Sequence, residues 1–310
     1  MVAKVDIISE ASHKHAGEVT SLCFDGQHLY SGSADGVINV WDNELKFSRE
    51  IAIHKDFALL ALVVNSHKQM YSSGRDGSLR YFRRPWSHDH NDILLQTVMD
   101  DVTCLHVAND ILFSGDDKGI VTKWYHNQVG AQYNVMEEVR SMAVEENTLY
   151  TVGDRDVVVT DITPRESQVT KGTVEGKSPL LLIGTEKPPV VEGRRPSMIP
   201  EVSKLKKFLV CATRDGKGIV VAKNETPFKK FHTKEDAHSM IINAMCDVDD
   251  FLFTAGWDGK VKKWTGLESG LTLVEEIDTG KCINAMCAGP DHTVFVGDSE
   301  GFVKRVRFTA

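Results

Sequence analysis

The chain has 310 residues and no run of 18 apolar ones, so it offers no segment that could cross a bilayer as a helix. Its start, MVAKVDIISEASHKH, lacks the long apolar core that a secretory signal requires. Paired cysteines are missing too. Cys23, Cys104, Cys211, Cys246, Cys282 and Cys287 form no C-x-x-C and no zinc-ligand spacing. Most fall inside apolar strand patterns and read as reduced thiols filling core space, which points to cytoplasm or nucleus. A basic excess is absent as well: the net charge is -8 and the pI near 5.8, which argues against a general phosphate-binding surface. Neither a G-x-S-x-G elbow nor a P-loop occurs. What remains, 41% hydrophobic and 26% charged, is an ordinary folded composition with no catalytic signature.

What is present is a repeat. Seven times a doublet of short strands closes around an Asp-Gly or related turn. The copies read LYSGSADGVINVWD from Leu29, MYSSGRDGSLRYFR from Met70, LFSGDDKGIVTKWY from Leu112 and LYTVGDRDVVVTDI from Leu149. They continue as LVCATRDGKGIVVAK from Leu209, LFTAGWDGKVKKWT from Leu252 and VFVGDSEGFVKRVR from Val294. With Ser31 as marker, the equivalents are Ser72, Ser114, Thr151, Cys211, Thr254 and Val296. A period of roughly 40–45 residues with four strands per unit is that of a propeller blade. The expected fold is therefore all-β, a seven-bladed propeller of four-stranded antiparallel blades, forming one domain over 1–310.

The first unit shows the local logic. Val19 to Phe24 alternates as an inner strand, Leu29 to Ser33 and Val37 to Trp41 follow, and Lys46 to Ile53 makes a polar-alternating outer strand. Asp35-Gly36 supplies the positive φ that a short hairpin demands. The last unit ends after its third strand, Phe302 to Phe308, whereas Val5 to Ser9 has strand-like residues and no other partner. The N-terminal segment is expected to supply the missing outer strand and close the ring.

Val40-Trp41-Asp42, Lys123-Trp124 and Lys263-Trp264 place a tryptophan at one position of three units, and over essentially the whole chain the pattern resembles the WD-repeat family. The resemblance implies a hydrogen-bonded set inside a blade. Unit one matches it with His15, Ser31 or Ser33, Asp35 and Trp41, and unit six with His238, Thr254, Asp258 and Trp264. Unit two keeps His54, Ser72 and Asp76 but has Phe82, and unit three keeps Ser114 and Trp124 with Lys118 at the Asp position. Units four, five and seven place Asp161, Val221 and Val306 where the tryptophan belongs. The His–Ser–Asp inventory is read as structural because it recurs at fixed offsets, whereas a catalytic triad needs a single copy.

Function is sought on the surface. The residue before each turn Asp should project beside the central channel: Ala34, Arg75, Asp117, Asp154, Arg214, Trp257 and Ser299. Of these, Trp257, Arg75, Arg214, Asp117 and Asp154 are the candidate partner-binding residues, tryptophan and arginine being the types most enriched at binding hot spots. Between Thr151 and Cys211 the repeat is longer than its period by roughly 18 residues, marking a loop insertion at about 184–207 on the opposite face. Within it, Arg194-Arg195-Pro196-Ser197 makes Ser197 a candidate phosphorylation site. Ser87-His88-Asp89-His90-Asn91-Asp92 clusters potential ligands on a connector that no helix or strand spacing organises, so no metal and no cofactor is expected. Arg80, Arg83, Arg84, Lys262, Lys263, Lys304, Arg305 and Arg307 read as solvated strand surface, and nucleic acid is not an expected partner.

The function expected is that of a non-catalytic intracellular scaffold, monomeric within a larger complex, that binds proteins or peptides. Two alternatives stand beside it. A ubiquitin-ligase substrate receptor would carry Asp-x-Arg after the repeat tryptophan, but Trp41 is followed by Asp42-Asn43-Glu44. A channel-site enzyme or ligand binder would show a deep pocket lined by convergent acids or histidines.

Overall fold

In the computed structural model the described residues are 4–54, 56–88, 92–97, 100–163, 168–185, 206–249 and 251–309. They form seven four-stranded antiparallel sheets. The seven inner strands are Val19–Phe24, Leu59–Val64, Val102–Ala108, Ser141–Glu145, Lys177–Thr185, Ile242–Val248 and Ile283–Ala288. Blade one shows why the sequence takes this form. In its second strand, His28–Ser33, the residues after His28 are all buried, because one face packs on each neighbouring blade. The outer strand Phe47–Ala52 alternates instead, with Arg49 and Ile51 inward and Ser48 and Glu50 outward.

Blades wedge together where a small residue lets the next one approach. A Cβ added to Gly32 would lie 2.4 Å from Leu59 Cδ2, one on Gly115 2.6 Å from Val139 Cγ1, and one on Gly297 2.3 Å from Val19 Cγ1. Each glycine follows the marker position of its blade, and each contact is with the residue that leads into the next inner strand. The interior between blades is therefore a ring of repeated contacts, which a β-carbon would spread apart.

The ring closes as the sequence implies. Lys4–Ile8 pairs antiparallel with Val303–Arg307, Val5 opposite Val306 and Ile8 opposite Lys304, and forms the outer strand of the last blade. Ser9 extends the seam: its N–H donates to the Val303 carbonyl at 2.8 Å, and its hydroxyl accepts the Val303 N–H at 3.1 Å. Asp6 accepts from Arg305 Nη2 at 2.7 Å and from Arg307 Nε at 3.1 Å. Arg305 also donates to the Asn43 carbonyl and to Glu44 Oε1, both at 2.7 Å, which ties the closing blade to the first.

Two blades depart from the expected register. Leu29 faces Trp41, and likewise Leu112 faces Trp124 and Leu252 faces Trp264. In blade four, however, Leu149 faces Thr160, and in blade five Leu209 faces Ala222. Thr160 and Ala222, not Asp161 and Val221, occupy the tryptophan position. The hairpin is one residue shorter in blade four and one longer in blade five, so a fixed offset from the marker slips the pairing. Val306 does face Val294 in blade seven. At the insertion, the flanking strands run further than expected, to Thr185 and from Lys206, which face each other.

A candidate protein-interaction face

Inside the blades, the polar side chains satisfy one another. In blade six His238 Nδ1 lies 3.0 Å from Asp258, His238 Nε2 lies 2.8 Å from Thr254 Oγ1, and Trp264 Nε1 donates to the same Oγ1 at 2.8 Å. The Asp258 carboxylate can only accept, which assigns the proton to Nδ1 and leaves Nε2 to accept from the Thr254 hydroxyl. Blade one keeps the inner half of the relay, His15 Nε2 to Ser31 Oγ at 2.8 Å and Trp41 Nε1 to Ser31 Oγ at 2.8 Å, while His15 Nδ1 stands 3.5 Å from Asp35 and makes no hydrogen bond to it. Burial would raise the Asp35 carboxyl, but His15 and the N–H groups of Val37 and Ala16 outweigh it and hold it at about 2. Burial pushes the imidazoles of His54 and His238 down despite their aspartate partners, so both are neutral in the fold. In blade two His54 reaches Ser72 at 2.8 Å and Asp76 at 3.0 Å, and Ser78 adds bonds to Asp76 where no tryptophan is available. Blade three retains Trp124 Nε1 to Ser114 Oγ at 2.9 Å, and Asp116 accepts the turn N–H groups of Lys118 and Ile120. These sets lie within the sheets, with His15, His54 and His238 buried.

The upper face carries the turns between second and third strands and the connectors that lead into each inner strand. In blades one, two, three, six and seven, the residue before the third turn position is held alike. The N–H groups of Ala34, Arg75, Asp117, Trp257 and Ser299 donate to the carbonyls of Glu18, Ala58, Asp101, Ile241 and Cys282 at 2.9–3.0 Å. Trp257 is thus fixed by its backbone and still 42% exposed. Arg75 projects into solvent with its Nε 3.8 Å from Asp101. Arg214 is already engaged: its Nη2 lies 2.9 and 3.0 Å from the two oxygens of Asp156. Asp117 pairs with Lys118 at 2.8 Å and Asp154 with Arg140 at 2.7 Å. Three further side chains share this face. Phe57 is 50% exposed, Met136 85% and Met240 46%, all on connectors. Among the described residues, every exposed large apolar side chain outside a strand lies on the upper face.

The model of the WD domain, G-beta repeat, matches residues 9–42 and 229–265, the two stretches that hold a complete His–Ser/Thr–Asp–Trp set. These two stretches are WD repeats, set in a seven-bladed β-propeller. Two solved structures share its fold. The WD40 beta propeller domain of Doa1 superposes with a TM-score of 0.75 at 13% identity, covering 99% of this chain and 97% of that one. The computationally designed Ika8 protein gives 0.63 at 19% identity, covering 96% and 98%. Among curated proteins, U3 snoRNP-associated protein-like EMB2271 of Arabidopsis thaliana is 27% identical over 162 residues, 52% of this chain. The match spans 31% of that relative's length.

Elsewhere on the propeller, several cations expected at the rim serve the fold. Lys263, Lys304 and Arg305 are buried. Lys263 Nζ donates to the Thr309 carbonyl at 2.7 Å, and Lys304 to the Thr279 carbonyl at 2.9 Å beside Asp298. Arg83 and Arg84 remain exposed. At the lower end of blades three to five, a cavity of about 380 Å³ is lined by His106, Asn109, Glu145, Glu146, Lys206 and apolar inner-strand residues. Burial pushes His106 down to about 4. The Glu145 oxygens are taken by the Lys206 N–H and the Asn224 amide, so the cavity gathers one neutral imidazole, one occupied carboxylate and the Glu146 side chain. Ser197 lies outside the described residues, as do Asp89, His90 and Asn91. Among the described residues no group of three His, Cys, Asp or Glu could hold a metal ion, and no helix is long and apolar enough to cross a membrane. Glu44 stands where a cullin-adaptor arginine would, with its carboxylate on Arg305.

Proposed function

We propose that this propeller is a non-catalytic platform that holds protein or peptide segments on its upper face and helps to assemble a multiprotein complex. The observation that carries the reading is the placement of Phe57, Met136, Met240 and Trp257. Apolar side chains in turns and connectors have no packing duty, yet three connector residues and one turn tryptophan are presented on one face. Trp257 is the centre of the proposed surface: its N–H bonds Ile241 beside Met240, and the Cys282 thiol reaches its carbonyl at 3.1 Å. Arg75 joins it as a solvated arginine, whereas Arg214, Asp117 and Asp154 contribute through exchangeable surface ion pairs. The similarity to a protein titled U3 snoRNP-associated favours work within a large, nuclear assembly. Affinity capture with the wild-type chain and with a Trp257→Ala, Met240→Ala variant tests the reading. Loss of the same set of proteins from the variant is expected, with melting temperature retained. Undiminished capture would refute it, and recovery of adaptor and ubiquitin components alone would turn the reading to the ligase alternative.

A further inference from the structure

Resting on that platform reading, we propose that the connector around Met136 docks a partner segment rich in lysine and arginine that carries one apolar side chain. Met136 is the most exposed large apolar residue described, at 85%. Its backbone φ is +67°, a conformation that glycine adopts without a Cβ penalty and methionine does not. The chain is pinned on both sides. The Val135 N–H donates to the Gly119 carbonyl at 2.8 Å, the Val139 N–H to the Asp116 carbonyl at 3.0 Å, and the Met136 N–H to Asn134 Oδ1 at 2.9 Å. A flexible thioether is therefore thrust outward at a position where local conformation and solvation both disfavour it. A cavity of about 320 Å³ adjoins it, lined by Met136, Glu137, Glu138, Asp154 and Arg155.

Charge selects the occupant. The neighbouring turn adds Asp116, which accepts its own turn's N–H groups, and Asp117, paired with the exposed Lys118 at 2.8 Å, so acids still outnumber cations around the methionine. The local cations are surface partners: Arg155 is 82% exposed with Nη1 3.4 Å from Glu137, and Arg140 bridges Glu138 at 3.1 Å and Asp154 at 2.7 Å. Such exposed pairs contribute little and exchange readily, so an incoming arginine or lysine can replace them at the carboxylates. An acidic or phosphorylated segment would meet the same carboxylates as repulsion.

The probe is a fluorescein-labelled peptide, KRKLKRK, titrated with the full chain and read by fluorescence anisotropy. Saturable binding is expected, weakening about tenfold when salt is raised from low to several hundred millimolar, because exposed charges are screened. Met136→Gly should weaken it about tenfold, the range for losing one buried side chain. Its melting temperature should hold or rise, since glycine suits the positive φ. Glu137→Gln with Glu138→Gln and Asp154→Asn should weaken it similarly. The proposal is overturned if KRKLKRK does not saturate, if Met136→Gly binds it as tightly as wild type, if KRKGKRK binds equally, or if EDELEDE does. Trp257→Ala should leave the peptide affinity unchanged, and a loss there would move the site to blade six. Failure of the peptide with Trp257-dependent capture intact leaves the platform standing and removes only this partner chemistry.

Discussion

Replacing Asp6 by alanine removes the carboxylate that joins the closing strand to Arg305 and Arg307, and the structure sets the size of the loss. Arg305 is 5% exposed at its side chain and Asp6 18%, so the pair sits largely out of water. Removing one partner of a buried pair costs about 3–5 kcal/mol when the other charge is left alone. Here Arg305 keeps Glu44 and the Asn43 carbonyl, but Glu44 is 62% exposed and screened. The expected loss is therefore below that range, about 2–3 kcal/mol. Asp6→Asn, which keeps one acceptor, should lose about 1–2 kcal/mol. Equilibrium unfolding in urea, followed by tryptophan fluorescence, measures both. The effect also has a pH signature. Burial alone would raise the Asp6 carboxyl, but Arg305 and Arg307 hold it below its ordinary value. A depressed folded-state value means stability that is present above about pH 4 and lost as pH falls further. The gap between wild type and Asp6→Ala should close in that acid range. A variant within about 0.5 kcal/mol of wild type at neutral pH, or a gap that does not narrow in acid, would refute the closure argument.

The internal relays give a second contrast. Thr254→Val leaves both the Trp264 N–H and the His238 Nε2 without a partner, whereas Ser72→Ala orphans only His54, because Phe82 makes no such bond. By chemical denaturation Thr254→Val should cost about 2–4 kcal/mol and Ser72→Ala about half of that, and equal losses would count against the relay. A third concerns acid. His54, His106 and His238 are held below the ordinary histidine value, so the unfolded chain takes up protons first and stability declines as pH drops from about 6.5. His106, at about 4, contributes at most about 3 kcal/mol between those limits. His106→Phe should flatten the fall in melting temperature between pH 6.5 and 4.5, and an unchanged slope would dismiss it.

How much of this was legible depended on whether the signal was local. The Asp-Gly turns, the alternation on either side of them and the unpaired segment at Val5 to Ser9 are properties of short windows, and they define blade number and closure. The relay in blades one and six was legible for the same reason, since offsets within one hairpin are fixed by the turn. The burial of Lys263, Lys304 and Arg305 was not, because their acceptors come from distant positions: Thr309, Thr279, Asn43, Glu44 and Asp6. Alternation shows which way a cation points and says nothing of what a neighbouring blade places opposite it. Phe57, Met136 and Met240 were missed for another reason. An apolar residue between an outer strand and the next inner strand looks like the end of either, and only the observed strand limits reveal that it belongs to neither. For Met136 a signal did exist: Asn-Val-Met-Glu-Glu sets one methionine among polar residues directly after a strand.

Blades four and five connect these points. Their hairpins are the two whose lengths deviate, they lack the tryptophan relay, and the upper-face bond shared by the other five blades is not made there by Asp154 or Arg214. Instead Arg140 donates its N–H to the Val152 carbonyl, and Arg214 grips Asp156 of the preceding blade. In the regular blades that backbone bond ties each turn to the segment leading into its own blade's inner strand. In blades four and five, Arg140 pairs with Asp154 beside its own turn and Arg214 with Asp156 across the blades. Such pairs are solvated and exchangeable. Met136 stands at the border of these blades, on a connector that leads from the last regular blade into the first irregular one. There a strained, exposed methionine adjoins exchangeable ion pairs, which is the combination a basic partner segment would engage.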